Sequence, residues 1–198
     1  MIVGVDEAGC GPAVGSLWAG AVFLTQDIPG LADSKKLTAS KRDTLRKAVE
    51  QQNMYGLGEV TCAEIDSLGL GEARRLVFER ALDDFVRRTG SVPDKIIVDG
   101  TIFRQWRQVK FECVEKADAL FPVVSAASIL AKTHRDAQIL QLCDDHPELD
   151  ERYGLRSNKG YLAKRHIDGL VAHGRSNVHR KSFHIRCIDG AKRERAVF

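Results

Sequence analysis

The stretch "VGVDEAGCGP", Val3 to Pro12, constrains this chain more than any other: an apolar run ends in two adjacent carboxylates, Asp6 and Glu7, set among Gly4, Gly9 and Gly11. Such a run reads as a strand entering a core. Like charges in a half-buried place repel each other and lose hydration, so something positive has to be supplied there. Neighbouring strand residues point to opposite faces, and both acids serve one site only where the strand ends or bends. Gly9 and Gly11 provide that freedom. The spacing is not that of a dinucleotide-binding G-x-G-x-x-G, because Gly11 is followed by Pro12 and Gly15. A divalent cation would neutralise the acids and draw in a phosphate; a turn or a salt bridge is the plainer alternative.

Strand and helix signals alternate along the rest of the chain. "SLWAGAVFL" is a second short apolar strand, "DKIIVDG" a buried third whose Asp99 ends it in a turn, with a supporting role behind the acids as the alternative, and "QVKFECVEKAD" alternates as a fourth that Asp118 closes. Ser40, three before Asp43, predicts the start of the helix "KRDTLRKAVEQQ", and Thr61 with Glu64 reads as a capping box. "GEARRLVFERALDDFVRR" and "SAASILAKTHRDAQILQLC" carry apolar residues at helical spacing, and "YLAKRHIDGLVAHG" is a last helix ended by Gly174. This order predicts an α/β or α+β core with a mixed sheet. At 198 residues the chain is one domain, read as a core over 1–151 and a basic, mainly helical part over 152–198. No apolar run is long enough to span a bilayer, and the five scattered cysteines form no C-x-x-C pair. The expectation is a cytoplasmic monomer with reduced thiols, no targeting segment and no membrane contact.

The net charge of +3 hides an asymmetry: residues 152–198 hold 12 Lys and Arg against 3 Asp and Glu. An acidic body with a basic last quarter suits a polyanion that also meets a carboxylate site. Two further acids join Asp6 and Glu7 in this reading. Asp118 stands at a strand end, and Asp136 follows Ile129 and Lys132 along a helix face. Their alternatives are a turn for Asp118 and an i,i+4 pair with Lys132 for Asp136. Four such acids would form a hard-oxygen site suited to Mg²⁺ or Mn²⁺, with room for two ions about 4 Å apart, the arrangement for displacement at phosphorus.

"GVDEAGCGP", "LADSKKLT", "IIVDG", "KADALFPVVSAASILAKTHRD", "NKGYLAKRH" and "HRKSF" occur in the order in which type 2 ribonuclease H carries them, and the chain resembles that family, the prokaryotic ribonuclease HII, from Val3 to about Phe183. The resemblance implies a ribonuclease H-like α/β fold, a mixed sheet flanked by helices with a small helical C-terminal part. It implies hydrolysis of the RNA strand of RNA–DNA hybrids and nicking at ribonucleotides embedded in duplex DNA. It places the family's metal-binding acids on Asp6, Glu7, Asp118 and Asp136. Two positions depart from the family's pattern: Cys10 stands where it usually has Arg, and Ala163 where it has Thr.

Substrate contacts are expected from Gly9, Cys10 and Gly11, whose backbone would approach a ribose 2′-OH, and from the ring of Tyr161 stacking on a sugar or base. Ser34 and Lys35 are candidates for a phosphate, and Arg180 and Lys181 for electrostatic tracking of the duplex backbone. The reading is a metal-dependent endoribonuclease that leaves 5′-phosphate and 3′-hydroxyl ends. A junction-cutting nuclease on the same fold class and a hybrid-binding module without turnover are its rivals.

Overall fold

The computed structural model describes residues 1–31 and 37–190. Ser34, Lys35 and the tail from residue 191 lie outside them. Five strands form one sheet: β1 (Ile2–Ala8), β2 (Leu17–Phe23), β3 (Met54–Val60), β4 (Lys95–Asp99) and β5 (Lys110–Val114), in the order β3-β2-β1-β4-β5. β1, β2 and β3 pair antiparallel, whereas β1, β4 and β5 pair parallel. The mixed sheet expected from the sequence is present. β3, "MYGLGEV", has no counterpart among the strands read from sequence, because Gly56 and Gly58 interrupt its alternation.

Those two glycines have a packing reason. A Cβ on Gly56 would lie 2.2 Å from the Phe85 backbone nitrogen, and one on Gly58 would lie 2.3 Å from the Val77 carbonyl. The backbone of α3 (Leu70–Thr89) therefore rests directly on the sheet. Val3 and Val5 of β1, Ile96 and Val98 of β4, and Val77, Phe78 and Phe85 of α3 share this apolar layer. The opposite face is covered by α1 (Ala39–Gln52) and α5 (Pro122–Asp145), which enclose Val22, Leu45, Ile129 and Leu130. α3 stops at Gly90, whose left-handed φ of 68° ends the helix.

Helix starts follow their caps. Thr61 forms a full capping box with Glu64 at α2 (Cys62–Leu68). α1 is capped two residues earlier than read from sequence, by Thr38 and not Ser40, its side chain accepting from the Lys41 N–H. Asp118 does not close a strand. β5 ends at Val114, the chain turns through Lys116 with φ 57°, and Asp118 lies in the first turn of the short helix α4 (Ala117–Leu120).

Beyond α5 come α6 (Pro147–Tyr153), α7 (Leu155–Asn158), α8 (Lys164–His173) and α9 (Arg186–Asp189). The 151/152 boundary read from charge falls inside α6. Leu149, Tyr153, Leu155, Leu170 and Ile185 share one apolar cluster with Val14 and Ile139. The basic quarter thus packs onto the loop between β1 and β2. Ala13 N–H donates to Gly160 O, Arg180 N–H to Ala13 O and Gly15 N–H to Val178 O. No described helix is long and apolar enough to cross a membrane.

Candidate active site

β1 and β4 run parallel with Val5 opposite Val98, so the next residues in register are Asp6 and Asp99. Val5 and Val98 face α3, which turns Asp6 and Asp99 to the α4/α5 face. Glu7 points the other way, towards α3, where Arg74 meets its Oε1 at 2.8 Å. The two adjacent acids do diverge, yet both reach one cleft of about 230 Å³ at the strand end, lined also by Gly9, Cys10, Gly11, Asp99, Ser128 and Tyr161. Gly9 turns the chain there with φ 112°.

Burial, then the neighbouring Glu7 charge, raises the Asp6 carboxyl well above its ordinary range, against the opposing hydrogen bonds from the Ser128 hydroxyl and the Glu7 N–H. Burial also raises Glu7, against the pull of Arg74 and the Cys10 thiol. That thiol donates to Glu7 Oε1 at 3.3 Å and is itself pushed up to about 12 by burial and the carboxylate. The other Glu7 oxygen, Oε2, is buried with no hydrogen-bond partner among the described residues. Asp99 Oδ1 accepts from the Ala117 N–H at 2.6 Å and so fixes the start of α4, with buried Asp118 one residue on.

Asp99 reads from sequence as a turn first and a residue behind the acids second; its position at the end of a strand parallel to β1 is the signal that points to the cleft. Asp136 is corrected in the opposite sense. It lies on α5 eight residues beyond Ser128, about 12 Å along the helix. There it pairs with Lys132 at 2.7 Å, the alternative read from its spacing, and with Arg135 at 3.6 Å and Arg42 at 3.9 Å. It lines a separate hollow with Arg42, Thr133 and Lys159. Its partner Lys132 lines the Asp6 cleft, whereas Asp136 itself does not.

Arg180 is corrected too. It is 0% exposed and donates to the carbonyls of Gly15 at 2.9 Å, Ser16 at 3.3 Å and Cys10 at 3.4 Å. It holds the glycine loop from beneath and cannot touch a duplex. Lys181 beside it is exposed, while its backbone N–H is held by Asp66. Tyr161 is 48% exposed at the cleft mouth, its ring edge against Gly11 and the Arg135 guanidinium 5.9 Å from its centroid. Gly9, Cys10, Gly11 and Tyr161 therefore gather where expected. A roomier hollow of about 410 Å³ lies between α3 and residues 103–107. Its Arg75, Arg104 and Arg107 are all ion-paired, to Glu72 or Asp83, and it contains none of the motif acids.

Whether these residues suit a divalent cation is decided by their donors. Asp6, Glu7 and Asp99 offer hard oxygens, one of them buried without a partner, in a place where the carboxyls resist ionisation. Among the described residues no three metal-ligating groups already converge as a finished cation site, since Glu7 is turned to Arg74. The donor set fits the ion, and Glu7 Oε2 is the oxygen left to it while Oε1 stays with Arg74.

Comparisons with known proteins identify the family. The family model for ribonuclease HII matches residues 3–186. The chain is 40% identical over 185 residues to the ribonuclease HII of Polynucleobacter necessarius, covering 92% of this chain and 91% of that one. It is 41% identical over 186 residues to the ribonuclease HII of Neisseria meningitidis serogroup C, covering 92% of each. The crystal structure of ribonuclease H2 from Pyrococcus horikoshii OT3 superposes with a TM-score of 0.72 at 28% identity, over 92% of this chain and 93% of that one. The chain belongs to the ribonuclease HII family and is a type 2 ribonuclease H.

Proposed function

We propose that this chain is a divalent-metal-dependent endonuclease. It cuts the RNA strand of RNA–DNA hybrids and nicks duplex DNA at embedded ribonucleotides, leaving 5′-phosphate and 3′-hydroxyl ends. The observation that supports it best is the register pairing of Asp6 with Asp99 beside a buried, unpartnered Glu7 oxygen. Asp6, Glu7, Asp99 and Asp118 would hold Mg²⁺ or Mn²⁺, one or two ions, and Asp136 is not among them. When bound, the metal activates water and stabilises the charge on the leaving oxygen. Ser128 and the Glu7 N–H keep the Asp6 carboxylate oriented, and Asp99 positions α4 and with it Asp118.

The loop Gly9–Gly11 presents backbone at the cleft floor, where it can distinguish a 2′-OH, and Tyr161 offers an exposed ring for stacking. Cys10 provides no cation at the position where the family has Arg; its thiol braces Glu7. Exposed Lys181 is left as the phosphate-facing member of "HRKSF". The protein acts as a cytoplasmic monomer in this reading. The test is cleavage of three end-labelled duplexes with Mg²⁺, Mn²⁺ or EDTA: an RNA–DNA hybrid, DNA with one ribonucleotide, and all-DNA. Metal-dependent cutting of the first two supports it, and cutting of all-DNA or metal-independent cutting refutes it.

A further inference from the structure

Two buried histidines outside the cleft form a chain of hydrogen bonds that ends on Tyr161. His166 lies on α8 and His179 in the segment after it, both essentially inaccessible. Their Nε2 atoms are 2.9 Å apart. His179 Nδ1 receives the Ser176 backbone N–H at 3.0 Å and contacts the Ser176 hydroxyl at 2.8 Å. His166 Nδ1 lies 2.9 Å from the Tyr161 carbonyl oxygen.

The backbone amide fixes every proton in this series. An amide N–H only donates, so His179 Nδ1 is the acceptor and its proton sits on Nε2. That N–H then donates to His166 Nε2, which leaves the His166 proton on Nδ1, donating to Tyr161 O. A third proton has no place: charging either ring sets two N–H groups face to face. Tyr153 packs edge-on against both rings, 5.9 and 4.8 Å between centroids, with its hydroxyl given to Gly174 O. Burial lowers both imidazoles, His179 to about 4, with His166 and the Arg175 charge adding to it. The pair stays neutral and in one tautomeric order at neutral pH.

At the receiving end, Tyr161 O accepts from His166 Nδ1 and from the Ala163 N–H at 2.8 Å, so both of its lone pairs are used. Ala163 caps α8 without any side-chain hydrogen bond. The turn that carries the exposed Tyr161 ring is thus tied from below by an imidazole in a chain whose N-cap lacks the hydroxyl that a Thr would bring.

We propose that His166 and His179 are positioning residues: a proton-ordered pair that sets the Tyr161 ring at the cleft mouth for the nucleic acid. The proposal rests on the reading of Tyr161 as a substrate contact. In ¹⁵N-labelled free protein at neutral pH, His166 should appear as the Nδ1–H tautomer and His179 as Nε2–H; the reverse order, or a protonated ring, overturns it. His166→Gln keeps an acceptor for His179 but loses the donor to Tyr161, and it should raise KM for hybrid about tenfold with kcat within about threefold. His179→Gln, whose amide can still donate to His166, should keep KM near wild type. In a Tyr161→Ala background, His166→Gln should change KM no further. An unchanged KM in His166→Gln, or the same rise with Tyr161 removed, overturns the proposal. Absence of hydrolysis by the wild-type chain refutes the proposed function instead, and the tautomers are read without substrate.

Discussion

Replacing Arg180 by Met separates a buried brace from a duplex-tracking cation. Arg180 makes one hydrogen bond of ordinary length, to Gly15 O, and two long ones, to Ser16 O and Cys10 O. A hydrogen bond from a charged donor contributes roughly 1.5–3 kcal/mol, the long ones less, and the three carbonyls would be left facing a thioether. Against that, burial and the nearby Arg135 pull the Arg180 guanidinium down to about 10, so its removal relieves a desolvation cost. The balance is a loss of about 2–4 kcal/mol, equivalent at this chain length to a Tm lower by roughly 5–15 °C. Urea unfolding gives the free energy, and hybrid binding over a range of salt gives the number of phosphate contacts. Arg180→Met should lower stability and leave the salt slope of the folded fraction unchanged. Stability within about 0.5 kcal/mol of wild type, with the slope reduced by about one, would refute the reasoning and restore the backbone-tracking role.

Further outcomes follow from the same geometry. Asp6→Asn and Asp99→Asn should each lower turnover by several orders of magnitude, whereas Asp136→Asn should stay within about tenfold of wild type in kcat/KM, as expected of a residue outside the reacting centre. The folded chain holds the Asp6 proton to higher pH than the unfolded chain does. Its contribution to stability is therefore complete below about pH 4 and lost as pH rises through the raised folded value. In EDTA, wild-type Tm should rise on acidification from neutrality towards about pH 5, and Asp6→Asn should flatten that rise. Ala163 already has the extended backbone of an N-cap, φ −71° and ψ 164°, so Ala163→Thr should add about 1 kcal/mol of stability in urea titrations. Lys181→Ala should leave stability unchanged and lower the salt slope of hybrid binding by about one.

The sequence made the acidic strand end legible because charge at the close of an apolar run conflicts with burial wherever it occurs. The helix α3 was legible for a similar reason, since it buries one side and spacing reports that directly, whereas α5 is buried all round from Val124 to Ala131. What escaped depends on contacts between distant segments. β3 is a strand because α3 lies on its glycines, and no local pattern records a helix backbone 19 to 29 residues away. Asp99 closes an apolar run and Asp136 follows Lys132, Thr133, His134 and Arg135, and neither pattern says which acid reaches Asp6. Only the parallel pairing of β1 with β4 puts the first beside Asp6, and only the helical rise carries the second away. Arg180 read as a surface cation because its acceptors are carbonyls some 165 residues earlier, which composition cannot reveal.

Because Asp6 and Asp99 are register neighbours on hydrogen-bonded strands, the interval between them is a property of the peptide ladder, about 4.8 Å, and not of the side chains around it. The protein carries a ruler whose graduations are backbone bonds. Substitutions that swell or shrink the apolar layers can tilt helices and cost stability without re-spacing these two backbone positions. Glu7 has its backbone on the same strand, but its carboxylate is held by Arg74 of α3, so drift in the packing of that helix reaches the cleft through it.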